Sequence, residues 1–252
     1  MQAFERSITP GAAPHGRTMV LDKGLGLNAV TDLIATAGAS ISWVKFGWGT
    51  AATMSADLIA AKTARYRAAG IVPYPGGTLL EVAVAAGRAD AFLAEAKALG
   101  FTAIEVSDGS TTIAPEVRRA LIQQARAAGL TVLTEVGKKT PALDHELTVA
   151  QRLAQIQADL ESGAEAVILE AREAGKNIGI YDANGDIIAD ELAALATAGV
   201  DQLIFEAPLK AQQVALILKF GPGVNLGNIA YDEATSLETL RRGLRGDTVG
   251  RV

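Results

Sequence analysis

Four apolar runs in succession carry a glutamate near their ends: Glu105 in "AIEVSDG", Glu135 in "TVLTEVG", Glu170 in "AVILEAR" and Glu206 in "QLIFEA". Cations stand beside the same positions. Lys45 closes "ISWVKFG", Lys138 and Lys139 follow Glu135, and Arg172 follows Glu170. A lone carboxylate at such a place caps a helix or pairs with a neighbouring lysine. Four gathered together disfavour one another unless a cation lies among them. The chain has no cysteine and two histidines, so its ligands would be oxygens, which suit a hard cation such as Mg²⁺.

That chemistry requires elements that bring the four glutamates to one place. Eight strand-like runs begin at Thr18, Ile41, Ile71, Ala103, Thr131, Ala166, Gln202 and Val224, and they alternate with alanine- and leucine-rich helical patterns. The segment 115–129 is one example: apolar positions recur at helical spacing, proline opens it and glycine closes it. Eight such units in 252 residues predict an α/β fold, a single-domain (β/α)8 TIM barrel, whose active site lies at the C-terminal ends of the strands. Those ends carry Asp22 and Lys23, Lys45, Gly76 and Gly77, Glu105, Glu135 with Lys138, Glu170 with Arg172, Glu206, and Asn225 with Asn228. An open doubly wound sheet is the alternative. It is disfavoured because "DKGLGLN" (22–28) runs into Ala29 where the dinucleotide fingerprint needs a third glycine. The barrel is expected over residues 17–252, after a flexible lead-in over residues 1–16. The glycine-bearing stretch "EAGKNIGIYDANGDI" is expected to form a mobile flap over the mouth.

Composition narrows the function. Hydrophobic residues make up 49% and charged residues 20%, as in a globular protein with a full core. The formal net charge is −5, so nucleic acid, which calls for a basic face, is not an expected partner. No apolar run reaches membrane-spanning length, and the first residues do not read as a signal peptide. A cytoplasmic protein without membrane association is expected, and the absence of cysteine fits a reducing compartment.

Several residues carry plainer readings. His15 and His145 lack zinc-ligand spacing and are expected to be solvated or capping. Trp43 and Trp48 are expected to pack in the barrel. The arginines of "LRRGLRGDT" either form a solvated last helix or, through Arg242 or Arg245, reach a phosphate near the last βα loops.

From "RTMVLDKGLG" (17–26) through "KFGWGT" (45–50), "YPGGT" (74–78), "IEVSDGS" (104–110) and "LTEVGKK" (133–139), the chain resembles the phosphosulfolactate synthase family of coenzyme M biosynthesis. The resemblance continues through "IFEAPLKAQQVALILKFG" (204–221), "VNLGNIA" (224–230) and "SLETLRRGLRGDT" (236–248). It departs at "EAREAG" (170–175), where Ala174 stands in place of a serine in the family pattern.

The resemblance implies a (β/α)8 barrel and a lyase that adds sulfite to phosphoenolpyruvate with Mg²⁺, giving (2R)-phospho-3-sulfolactate. A barrel homologue with a stress-related or binding role, or an enzyme using a different nucleophile, is the alternative. On the family reading, some of Glu105, Glu135, Glu170 and Glu206 hold Mg²⁺, while Lys23, Lys45 and Arg172 hold phosphate and sulfite. Gly76, Gly77, Asn228, Arg245 and Lys139 are further expected substrate contacts. Lys138 is the expected proton donor, because neighbouring cations would lower its pKa. Lys139 competes for the role, since alternation turns adjacent side chains to opposite sides. A homo-oligomer is expected, a trimer among its forms.

Overall fold

The computed structural model describes Phe4 and residues 16–252. The expected lead-in over residues 1–16 therefore lies, apart from Phe4 and Gly16, outside the described residues, as does His15. Each apolar run forms a strand: β1 (Thr18–Asp22), β2 (Trp43–Phe46), β3 (Val72–Pro75), β4 (Ala103–Val106), β5 (Thr131–Val136), β6 (Ala166–Leu169), β7 (Leu203–Glu206) and β8 (Leu226–Ala230). All pairings are parallel, in the order β3-β2-β1-β8-β7-β6-β5-β4. The first strand lies against the last, so the sheet curls into a nearly closed (β/α)8 barrel and is not an open doubly wound layer.

The gap in the ladder falls between β3 and β4, and proline explains it. Val72 and Gly76 donate their N–H groups to Ser42 and Phe46 on the β2 side. The alternate residues Pro73 and Pro75 have no N–H to offer β4. A bond from the Thr102 N–H to the Pro73 carbonyl, 3.3 Å, crosses the seam from the other side.

Side chains alternate across each strand, and this period of two sets out the interior in layers. Trp43, Ala103, Leu133, Ile168 and Ile204 belong to one buried apolar cluster that plugs the barrel. Two residues further along the same strands stand Lys45, Glu105, Glu135, Glu170 and Glu206, all buried. Register supports the same height: Glu105 pairs with Leu133, and Glu135 with Ile168. Glu135 and Glu170 thus each lie two residues beyond the preceding glutamate's partner, which is the stagger of tilted barrel strands. Ile168 pairs with Ile204, which leaves Glu170 and Glu206 level.

The outer faces of the strands pack on helices whose buried stripes include charged residues. The helix Pro115–Ala127 buries Arg118 together with Leu121, Ile122 and Ala125. Arg118 meets Asp159 at 2.6 Å, Arg152 meets Asp144 at 2.9 Å, and Lys62 meets Asp22 at 2.9 Å. Asp22, placed at a strand end by sequence, therefore faces outward. Asn225 sits at the start of β8, where its amide donates to the Asp201 and Leu203 carbonyls.

The stretch expected to be a mobile flap is stitched down. Ile178, Ile180 and Tyr181 are buried, the Gly179 N–H donates to Asp144 at 2.7 Å, and the Tyr181 hydroxyl donates to the Glu206 carbonyl at 2.7 Å.

Candidate active site

Lys45 is the hub of the mouth. Its ammonium lies 2.9 Å from Glu105 Oε2, 2.9 Å from Glu135 Oε2 and 3.7 Å from Glu206 Oε1. Lys139 forms a second bridge, 2.7 Å from Glu135 Oε1 and 2.6 Å from Glu170 Oε2. Four carboxylates between 1% and 3% exposed thus face two ammonium groups. Burial of unpaired charge is costly; Glu135 is held by the two ammonium groups, and the other three carboxylates also take backbone or amide donors. Glu105 Oε1 accepts from the Gly77 N–H at 2.8 Å, at the positive end of the helix Gly77–Ala85. Glu206 Oε2 accepts from the Ala171 and Arg172 N–H groups and from Asn228 Nδ2. Glu170 Oε1 accepts from the Arg172 N–H at 2.7 Å.

These surroundings split the carboxylates. Burial lifts Glu105 to about 7 in spite of Lys45. Burial, with Glu135 and Glu206 close by, pushes Glu170 well above the usual carboxylate range. Burial acts on Glu135 too, but Lys139 and Lys45 outweigh it and hold that group well below the range. Burial works against the Lys45 and Lys139 ammonium groups, yet the surrounding glutamates raise both above the ordinary lysine value. Both lysines therefore hold their protons more firmly than a free lysine does.

Lys138 does not reach the cleft. Its ammonium donates to the Asp108 carbonyl at 2.6 Å, to Asp108 Oδ2 at 2.7 Å and to the Thr111 carbonyl at 3.2 Å. It ties down the loop after β4, while Lys139 points inward. The reason was legible: a count of two from inward-facing Glu135, and two again, lands on Lys139.

The cleft, of about 60 Å³, is lined by Lys45, Glu105, Lys139, Glu170, Arg172 and Glu206, with Gly76, Gly77 and Asn228 among its other walls. Arg172 adopts φ 59° and donates to the Lys139 carbonyl at 2.9 Å. Asn228 also adopts φ 59°, in the irregular β1–β8 pairing, which turns its amide towards Glu206. Lys23 is an exposed rim residue, its ammonium 4.5 Å over the ring of Trp48. Trp43 packs inside the barrel as expected, but Trp48 is 52% exposed on a backbone of φ 52° and lines the cleft. Arg245 is not among the lining residues, and Arg242 pairs with Glu238 at 2.7 Å on the last helix. His145 is exposed and its ring meets the Asn177 carbonyl. Ala174, the departure from the family pattern, is exposed and outside the lining. A larger groove of about 350 Å³ between the helices Gly77–Ala85 and Ala89–Ala98 is mainly apolar and holds none of the mouth's charges.

Sequence reading missed three supports. Arg118 donates to the Glu135 carbonyl at 3.0 Å and so fixes that strand end. Its signal was an arginine in the apolar stripe of an amphipathic helix. Glu81 is buried and accepts from Ser107, Ser110 and Thr111, which shapes the loop beyond Glu105. Tyr74 stands beside Lys45 in register, fully buried, with no partner for its hydroxyl. Neither position carried a local signal.

Gly77 is required by close approach. A Cβ there would lie 2.2 Å from Ser107 Oγ and 2.8 Å from Glu105 Oε1. Gly77→Ala is expected to cost about 1–3 kcal/mol through overpacking and to displace Glu105. A urea midpoint equal to that of the unmodified protein would contradict this.

Glu135, Glu170 and Glu206 each offer one carboxylate oxygen, and these oxygens lie within 4.8 Å of one another. Buried and oxygen-only, the triad fits a hard divalent cation.

Eight parallel strands with a charged cleft at their C-terminal ends define a (β/α)8 barrel whose candidate site lies where barrel enzymes carry theirs. Comparisons with known proteins narrow the class. The family model for (2R)-phospho-3-sulfolactate synthase matches residues 9–247. A phosphosulfolactate synthase of Methanocaldococcus jannaschii is 52% identical over 239 residues, covering 94% of this chain and 95% of that protein. Another, of Methanothermobacter thermautotrophicus, is 45% identical over 256 residues, covering 100% and 99%. Among solved structures, 3-hexulose-6-phosphate synthase from Salmonella typhimurium superposes with a TM-score of 0.59 at 12% identity, covering 91% of this chain and 100% of that one; it shares the fold. The chain belongs to the phosphosulfolactate synthase family, enzymes that act on small molecules. No helix of the described residues is long and apolar enough to cross a membrane.

Proposed function

We propose that this protein adds sulfite to phosphoenolpyruvate, with Mg²⁺, to give (2R)-phospho-3-sulfolactate. The observation that carries the reading is the inward Lys139 between Glu135 and Glu170, above a buried carboxylate triad, in a chain of this family. The sulfite sulfur lone pair forms a bond to the methylene carbon. The double-bond electrons move into the carboxylate, and the carbon bearing the phosphate ester then takes a proton. When bound by Glu135, Glu170 and Glu206, Mg²⁺ would supply Lewis-acid charge to the acceptor's carboxylate.

The chain's own residues meet the remaining needs. Two anions must approach one another, and Lys45 is a preorganised positive charge at the floor of the cleft. Arg172 and Lys23 offer cations at the rim for phosphate and sulfite. Lys139 delivers the proton, its stem long enough to move between the glutamates and the substrate. Arg118, through the Glu135 carbonyl, and Gly77, through Glu105, are positioning residues. A non-catalytic role leaves four buried carboxylates without a purpose, although they cost desolvation.

Purified protein with Mg²⁺ should consume phosphoenolpyruvate only when sulfite is present, with phosphosulfolactate detected by mass spectrometry. Phosphoenolpyruvate that stays constant across sulfite concentrations and with added Mg²⁺ would falsify the reading.

A further inference from the structure

The two ammonium groups of the mouth are held in different ways. Lys45 rises from the middle of a strand, its side chain 9% exposed, and bridges Glu105 and Glu135. Lys139 comes from the loop after β5, its side chain 21% exposed, and its contacts are Glu135 and Glu170. These are two of the three carboxylates that could hold a cation. The third, Glu206, has one oxygen occupied by the Ala171 and Arg172 N–H groups and Asn228. Lys139 thus sits on the two triad carboxylates that take fewer backbone and amide donors than Glu206.

An ammonium and a divalent cation cannot settle on the same oxygens, because like charges at such separations repel strongly in a poorly solvated site. The lysine is the one able to move. Its backbone is pinned, with its N–H donating to the Gly109 carbonyl at 3.0 Å and its carbonyl accepting from Arg172 at 2.9 Å. Its stem, by contrast, lies over Gly109, where a Cβ would come within 3.1 Å of Lys139 Cγ and 3.4 Å of its Nζ. Movement is therefore confined to a flexible four-carbon chain.

We propose that Lys139 is a resident counter-ion, which holds Glu135 and Glu170 together in the cation-free protein and is displaced when a divalent cation enters the triad. The inference rests on the reading of that triad as a cation site. Displacement delivers the ammonium group into the cleft only when the cation is in place, and so couples cation loading to the arrival of the proton donor. Lys138, locked on Asp108, is the internal control.

The test uses Mg²⁺ itself on the full chain, without substrate. Calorimetric titration should show one Mg²⁺ site in the unmodified protein and at least about tenfold tighter binding in Lys139→Met, since one competing unit charge is gone. Acetic anhydride labelling read by mass spectrometry should rise several-fold at Lys139 as Mg²⁺ saturates the unmodified protein and stay level at Lys138. Mg²⁺ binding with level labelling at Lys139 overturns the displacement and leaves the cation site standing. No Mg²⁺ binding by the unmodified protein overturns the cation site and the displacement with it. The labelling needs no variant, so a poorly folded Lys139→Met leaves the proposal open to refutation.

Discussion

Lys139→Ala is expected to lower turnover by about 10²–10⁴-fold, the usual contribution of a positioned proton donor, when assayed at saturating Mg²⁺. Phosphoenolpyruvate binding should change far less, because Lys45, Arg172 and Lys23 remain. Lys138→Ala is expected to lower turnover less than tenfold. Its ammonium is spent on Asp108 and Thr111, and its loss loosens a loop without removing a reacting group. The pair of variants discriminates well, since the residues are adjacent and chemically identical. A near-normal rate for Lys139→Ala, with a collapse for Lys138→Ala, would return the proton to Lys138 and require the loop after β4 to open.

The second large effect concerns stability. Lys45→Met removes the charge shared by Glu105 and Glu135, and leaves two fully buried carboxylates facing one another. Removal of one member of a buried ion pair costs about 3–5 kcal/mol, so urea unfolding of the cation-free variant should show that loss. Glu105→Gln in the same chain should recover part of it. Burial opposes the charge of Glu105, lifting its pKa to about 7. Lys45→Met with the unmodified protein's stability would mean that the Gly77 N–H suffices for Glu105 and Lys139 for Glu135.

The fold was legible to a large extent. Eight apolar runs between helical patterns define the barrel, and the strand ends follow from it. The charged layer was legible too, because Trp43–Lys45, Ala103–Glu105, Leu133–Glu135, Ile168–Glu170 and Ile204–Glu206 each step by two. That period needs no long-range information: a residue two places on faces the same way. Counting through Gly137 would also have favoured Lys139 over Lys138. The reading of Trp48 as core failed because its backbone turns left-handed just after β2 and carries the ring to the rim.

The sequence by itself determined which residues reach the inner face and the order in which strands bring them there, since both follow from local alternation and chain order. It could not determine which charges meet. Lys45 and Glu135 are 90 residues apart, and whether they pair depends on the barrel's closure and stagger, a global property. The same holds for Glu81 beneath its loop, for Arg118 behind Glu135, and for Lys138 drawn outward by Asp108. Tertiary structure alone settled those partnerships, because a buried ion pair forms only where two distant elements are packed at contact distance and water is excluded.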